Sequence, residues 1–287
     1  MRRIAFLSLL IPTLPALAAD PPSREVPLPI QKRIASSVVT KVTKPDGTVV
    51  DEVSTTVTPV AMTRAFDPAK SAVIICDMWD DHWCTSAAKR CDVLAKQTAP
   101  LIEELRKSGA TIIHCPSDCM AYYKDHPARK RSLAVKATEP PKPKDLPNPP
   151  LPIDDSDGGC DDGKTPFRKA WTKQHDAIKI DGDKDFVTDS GKEVYSILAD
   201  RGTKTVFVLG VHTNMCVLHR TFAIKQLRKW EVDCLIVRDL TDAMYNPKMK
   251  PFVTHDAGTQ LVIDYIEQHW CPTTTSAQLL KSLGNGK

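Results

Sequence analysis

Four runs of almost uninterrupted apolar residues constrain this chain most: Ser71-Ala-Val-Ile-Ile-Cys, Ala110-Thr-Ile-Ile-His-Cys, Thr205-Val-Phe-Val-Leu-Gly-Val and Val232-Asp-Cys-Leu-Ile-Val. A strand that is apolar on both sides must be covered on both sides, which is the pattern of a central parallel strand. The segments between them carry helical spacing. Leu94, Leu101, Ile102 and Leu105 mark one helix that stops before Gly109, and Gly191 to Arg201 marks another, capped by Asp189 or Ser190. A third helix is expected from about Asn214 to Lys229 and a last one from Gly258 to His269. Ala177 to Ile180 reads as a further short strand. The first strand, its helix and the second strand have the length of a crossover. The alternation predicts an α/β fold: a doubly wound, mostly parallel sheet with helices on both faces.

That domain is expected from residue 67 to residue 287. Residues 20 to 66 form an N-terminal extension, in which two β-branched stretches flank Lys44-Pro-Asp-Gly and predict a β-hairpin. The extension would pack on the main domain or on a partner. Residues 137 to 166 form a proline- and aspartate-rich insertion that reads as a long loop, and its acidic spacing does not match a calcium-binding EF-hand. Residues 1 to 19 read as a signal peptide: Arg2 and Arg3, an apolar run from Ile4 to Leu17, then Ala16-Leu17-Ala18 as the cleavage pattern. The run is short for a bilayer span, so an exported (periplasmic or secreted) protein without stable membrane insertion is expected.

With 39 basic and 35 acidic residues the chain is only mildly basic, and no Lys/Arg stripe interleaves with aromatics, which argues against nucleic acid. A small-molecule substrate suits this surface. Nine cysteines in an exported chain permit disulfides, and the odd count leaves at least one thiol free. Cys76 and Cys234 lie in apolar runs and read as core residues. No cysteine pair has zinc-finger spacing.

In an open parallel sheet, chemistry gathers at the carboxyl ends of the strands. Asp77, the stretch from His114 to Asp118 and the turn from Gly210 to Cys216 occupy such ends. Cys216 would sit near the start of a helix, whose N-terminus would lower its pKa and whose amides would hold an oxyanion. A nucleophilic cysteine needs a base, for which Asp77, His114 and His212 are candidates. Trp79, Asp80, His82 and Trp83 follow Asp77 closely and would line a pocket.

Ala72-Val-Ile-Ile-Cys-Asp-Met-Trp-Asp and Leu209-Gly-Val-His-Thr-Asn-Met-Cys-Val resemble the isochorismatase-like cysteine hydrolases, which include nicotinamidases and N-carbamoylsarcosine amidohydrolase. The resemblance spans about residues 70 to 282. It implies a triad of Cys216 as nucleophile, Asp77 as base and Lys179 as the cation, with Lys173 and Lys184 as competitors. It also implies a cis peptide at Val211-His212 that directs amides to the oxyanion, with Thr213 beside the substrate pocket formed by Trp79 and His82. Nicotinamidases bind a metal through an aspartate and two histidines. Here Cys119-Met120 follows Asp118 where a histidine is expected, so no metal and no cofactor are implied. The expected activity is hydrolysis of a C–N bond, amide or carbamoyl, through a thioester, in a homo-oligomer. A vinyl ether hydrolase of the isochorismatase type, which lacks the nucleophilic cysteine, and a non-catalytic scaffold are the alternatives.

Overall fold

The computed structural model describes residues 24–163 and 166–284. The expected signal peptide lies outside them. In chain order the elements are β1 (Val26–Thr43), β2 (Val49–Phe66), β3 (Ser71–Cys76), α1 (Thr85–Lys107), β4 (Thr111–Cys115), α2 (Met120–Tyr123), α3 (Pro127–Ala134), β5 (Phe186–Val187), α4 (Gly191–Asp200), β6 (Thr205–Val211), α5 (Cys216–His219), α6 (Ile224–Lys229), β7 (Cys234–Asp242), α7 (His255–His269), β8 (Thr273–Thr274) and α8 (Ser276–Ser282). All eight strands form one sheet, in the order β2-β1-β8-β7-β6-β3-β4-β5. The strands from β8 to β5 in this order are parallel, and β1 and β2 add antiparallel to the β8 edge.

Alternate residues of the central strands feed two cores. Ala72, Ile74, Cys76, Val206, Val208 and Ile236 face the helices α4, α5, α6 and α7. Val73, Ile75, Phe207, Leu209, Leu235 and Val237 face α1 and α8. This is why those strands read as continuous apolar runs. The helices begin where the chain supplies caps: the Ser190 and Thr254 side chains accept first-turn N–H groups, and Thr275 forms a capping box with Gln278.

Three local expectations change. Ala177 to Ile180 is not a strand; the edge strand is Phe186–Val187, which pairs with Ile113 and His114. The expected helix after Asn214 is broken into α5 and α6 by Arg220 to Ala223. The hairpin strands run 18 residues each, and β1 joins the main sheet through Gln31 opposite Thr273. The long excursion after α3 has no regular secondary structure through Gly163. Among the described residues, no helix is long and apolar enough to cross a membrane.

Strand order decides where a site forms. From β3 the chain moves outward through β4 and β5, then crosses back to place β6 on the other side of β3. The crevice at such a reversal opens at the carboxyl ends of β3 and β6.

Candidate active site

Asp77 follows β3, and its backbone N–H donates to the Cys115 carbonyl on β4. Its φ of 48° is a left-handed conformation that costs a non-glycine residue about 1–3 kcal/mol and turns the chain out of the sheet. At the end of β6, Gly210 has φ 117°, and a Cβ there would lie 2.0 Å from the Cys76 carbonyl oxygen. Only glycine lets the two strand ends approach so closely. The turn from His212 to Met215 then delivers Cys216 beside Asp77.

The Asp77 carboxylate is fully buried and has three partners. It accepts the Ser117 N–H at 2.7 Å and the Arg220 Nε–H at 2.9 Å, and the Cys216 thiol hydrogen-bonds to it. Burial lifts its pKa above the ordinary 3.8, although Arg220, Cys216 and Ser117 pull the other way. Burial also drives the Cys216 thiol well upward, and the Asp77 charge adds to this, against the Arg220 charge and the His212 N–H that reaches the sulfur. Both upward influences favour the protonated sulfur. The expectation of a thiol pKa lowered at a helix N-terminus is corrected: α5 has four residues, and burial and the Asp77 charge push the thiol upward.

The cation is also corrected. Lys179 is exposed at a shallow cleft with Tyr122, Lys173 and His175, and its carbonyl accepts from Arg106. Lys173 pairs with Asp176 and Lys184 with Asp181. The cation on Asp77 is Arg220, four residues after Cys216, one-third exposed at its side chain and also 3.6 Å from Asp118. No local periodicity marks it: Arg220 is the extended C-cap of the four-residue α5 and meets Asp77 through the break before α6.

The Val211-His212 peptide is cis. The His212 ring is buried edge-on to His82, with centroids 4.9 Å apart, and burial holds its pKa down to about 3. His114 is committed to Gln174 and Asp185, at 2.9 and 3.0 Å. Neither ring is placed as the base. Trp79 stacks on Trp171 at 4.2 Å, and His82 stacks on Trp171 at 5.8 Å, making an aromatic wall against which Cys216 packs. Thr213 is not on a pocket wall; it is fully buried, and its hydroxyl meets that of Thr241 at 2.7 Å.

A cleft of about 500 Å³ opens over the sulfur, lined by Leu151, Asp155, Asn214, Met215, Cys216, His219 and Arg220. Leu151 and Asp155 bring the proline- and aspartate-rich insertion over the site, and Asp155 accepts from Asn214 at 2.8 Å. The insertion is tied down further along by a Cys84–Cys160 disulfide, a pairing the sequence left open. The grouping of Cys84, Cys160 and Asp162 has metal-ligand spacing, but its two sulfurs are spent in that disulfide. Trp171 Nε1 and His212 Nε2 are buried without a hydrogen-bond partner among the described residues.

No family model matches this chain, and no curated protein does. Solved structures do overlay on it. A cysteine hydrolase from Pseudomonas syringae pv. phaseolicola aligns over 76% of this chain and 94% of its own, at 16% identity and a TM-score of 0.46. An isochorismatase from Pseudomonas putida aligns over 74% and 91%, at 13% identity and 0.44. An isochorismatase family protein from Burkholderia thailandensis aligns over 76% and 97%, at 16% identity and 0.41.

Proposed function

We propose that this chain is an isochorismatase-like cysteine hydrolase that cleaves a C–N bond, amide or carbamoyl, in a small molecule. One observation carries the reading: a reachable thiol, Cys216, hydrogen-bonded to a buried carboxylate with a raised pKa, Asp77, which is itself braced by Arg220.

The arrangement supports a two-step path. Asp77 takes the thiol proton as the sulfur attacks the carbonyl carbon, and the developing oxyanion is met by N–H groups of the His212 to Cys216 turn. As the C–N bond breaks, Asp77 gives that proton to the departing nitrogen. A water then attacks the thioester while Asp77 accepts its proton, and the returning thiolate takes that proton back. Arg220 keeps Asp77 ionised between turns without neutralising it. The aromatic wall of Trp79, Trp171 and His82, with two unpartnered ring nitrogens nearby, suits a small planar substrate with polar edges. The Cys84–Cys160 disulfide supports export, together with the basic and apolar residues ahead of Ala19.

The test is a screen of primary amides, carbamoyl compounds and ureides for ammonia release, followed by intact-mass measurement on the best substrate. Wild type should carry the acyl mass on Cys216, and Cys216→Ala should lose turnover and adduct while keeping its far-UV circular dichroism. Undiminished ammonia release by Cys216→Ala would end the proposal.

A further inference from the structure

Every residue of β1 is paired with one of β2, from Val26 opposite Phe66 to Thr43 opposite Val49. The body of the protein holds only the base of this ribbon. Val26, Leu28, Ile30 and Phe66 are buried, and Arg33 reaches Asp264 and Glu267. From Ile34 to Thr58 the ribbon stands clear, about 34 Å long at some 3.4 Å per residue. Ile34, Val38, Val39, Val49 and Val53 are each 46–62% exposed along it. A two-stranded ribbon is marginally stable alone in water, and a β-branched edge is a template for another strand.

Strand order leaves β2 at the edge of the sheet along its whole length, whereas β1 is met by β8 at Gln31, and the turn shows which β2 residues face outward. The Lys44 N–H donates to the Thr48 carbonyl at 2.8 Å, so that pair is hydrogen-bonded and, by antiparallel alternation, even-numbered residues spend their backbone groups between the two strands. Val49, Asp51, Val53, Thr55 and Val57 of β2 direct theirs outward. The next outward position is Pro59, which has no N–H to offer, so the open edge ends there.

We infer that this edge pairs antiparallel with the same edge of a second copy, about a two-fold axis at Val53. Charge and Pro59 select the register. Centred on residue 53, Val53 meets its own counterpart, Val49 meets Val57, Asp51 meets Thr55 and Glu52 meets Ser54. Centres at residues 51 or 52 set Asp51 or Glu52 against itself, and directly opposed like charges destabilise a sheet. Centres at residues 54 or 55 bring Val49 or Asp51 onto Pro59 and lose ladder bonds. In the chosen register Val39 and Val53 of both copies share one face with Val49 and Val57. The joined ribbon has four strands crossed by one apolar row, Val39–Val53 of one copy continuing into Val53–Val39 of the other, with Asp51 and Thr55 on either side of it, and an isolated hairpin has only half of that row.

Sedimentation equilibrium of the full chain tests this. The wild type should dimerise in a concentration-dependent way. Ser54→Lys, placed opposite the partner copy's Glu52, should tighten the dimer several-fold, and Ser54→Glu should loosen it. Val53→Lys opposes two lysines on the axis and should give a monomer with an unchanged circular dichroism spectrum. If Val53→Lys fails to fold, the opposite responses of the two Ser54 variants still decide. A wild type monomeric up to high micromolar concentration overturns the inference. So does a dimer indifferent to the Ser54 pair, or a monomer that binds anionic lipid vesicles through the ribbon instead.

Discussion

Two aspartates flank the end of β6, one on each side, and their surroundings push them in opposite directions. Asp77 follows β3; Asp242 ends β7, opposite Val211. Both are buried, and burial is the largest influence on each. Asp242 nevertheless stays below the ordinary carboxylate range, because Arg90 Nε lies 2.9 Å from one oxygen and His255 Nε2 lies 2.8 Å from the other. Asp77 has one partly exposed guanidinium and a thiol, and burial prevails. A buried carboxylate matched by two cations is a fixed anion. One matched by a single cation can exchange a proton, which is what a base must do.

The same substitution should separate the two. Asp77→Asn should lower turnover by about 10²–10⁴, the usual worth of a general base, with little loss of stability because burial already disfavours its charge. Asp242→Asn should do the reverse. It leaves Arg90 and His255 facing a neutral amide in a buried network, and the unfolding free energy should drop by about 3–5 kcal/mol with an unchanged urea m-value. Equal losses of rate and stability in both variants would erase the distinction. In wild type, kcat/KM should fall on acidification through a pKa above 3.8, set by Asp77.

A smaller effect isolates the cation. Arg220→Met removes the charge that favours ionised Asp77, so the acid limb should move to higher pH and the rate at neutral pH should fall. Lys179→Met should leave the profile where it was, since that side chain lies in solvent at the cleft with Tyr122. An unmoved acid limb in Arg220→Met, or a displaced one in Lys179→Met, would restore the lysine to the site.

The contrast also explains what the sequence revealed. Runs such as Thr205–Val211 are apolar throughout because helices cover both faces, so the doubly wound sheet and the positions of Asp77 and Cys216 at strand ends were legible. So was the hairpin, from its Pro-Asp-Gly turn. Lys179 does not reach the site because the residues around it form no strand: Gln174 Nε2 donates to the Ile178 carbonyl, and Arg106 Nη2 donates to that of Lys179. The first tie is local and the second spans 73 residues, and neither leaves a strand periodicity in the sequence. Arg220 carries no local signal because its contact with Asp77 depends on the break between α5 and α6. The Asp242 network joins Arg90, Asp161 and His255 from three distant segments, and no local pattern marks it.

That network yields the smallest effect. His255 Nδ1 lies 2.8 Å from the Tyr245 carbonyl oxygen and Nε2 lies 2.8 Å from Asp242, so both bonds require the doubly protonated ring. Burial disfavours that form, yet Asp242 and the carbonyl together lift the pKa above 6.5. A raised folded-state value means that the stabilisation is complete below pH 6.5 and disappears as pH rises through the folded pKa. Asp242 runs the opposite way: its lowered value stabilises the fold above pH 3.8, and that gain disappears as pH falls through the folded pKa. Unfolding free energy measured against pH should therefore decline on the alkaline side of 6.5 in wild type, and His255→Gln should flatten that decline while leaving the kcat/KM acid limb of Asp77 in place. A decline that persists in His255→Gln would assign the titration to another group, and an acid limb that moved with it would mean the two aspartates are coupled across β6.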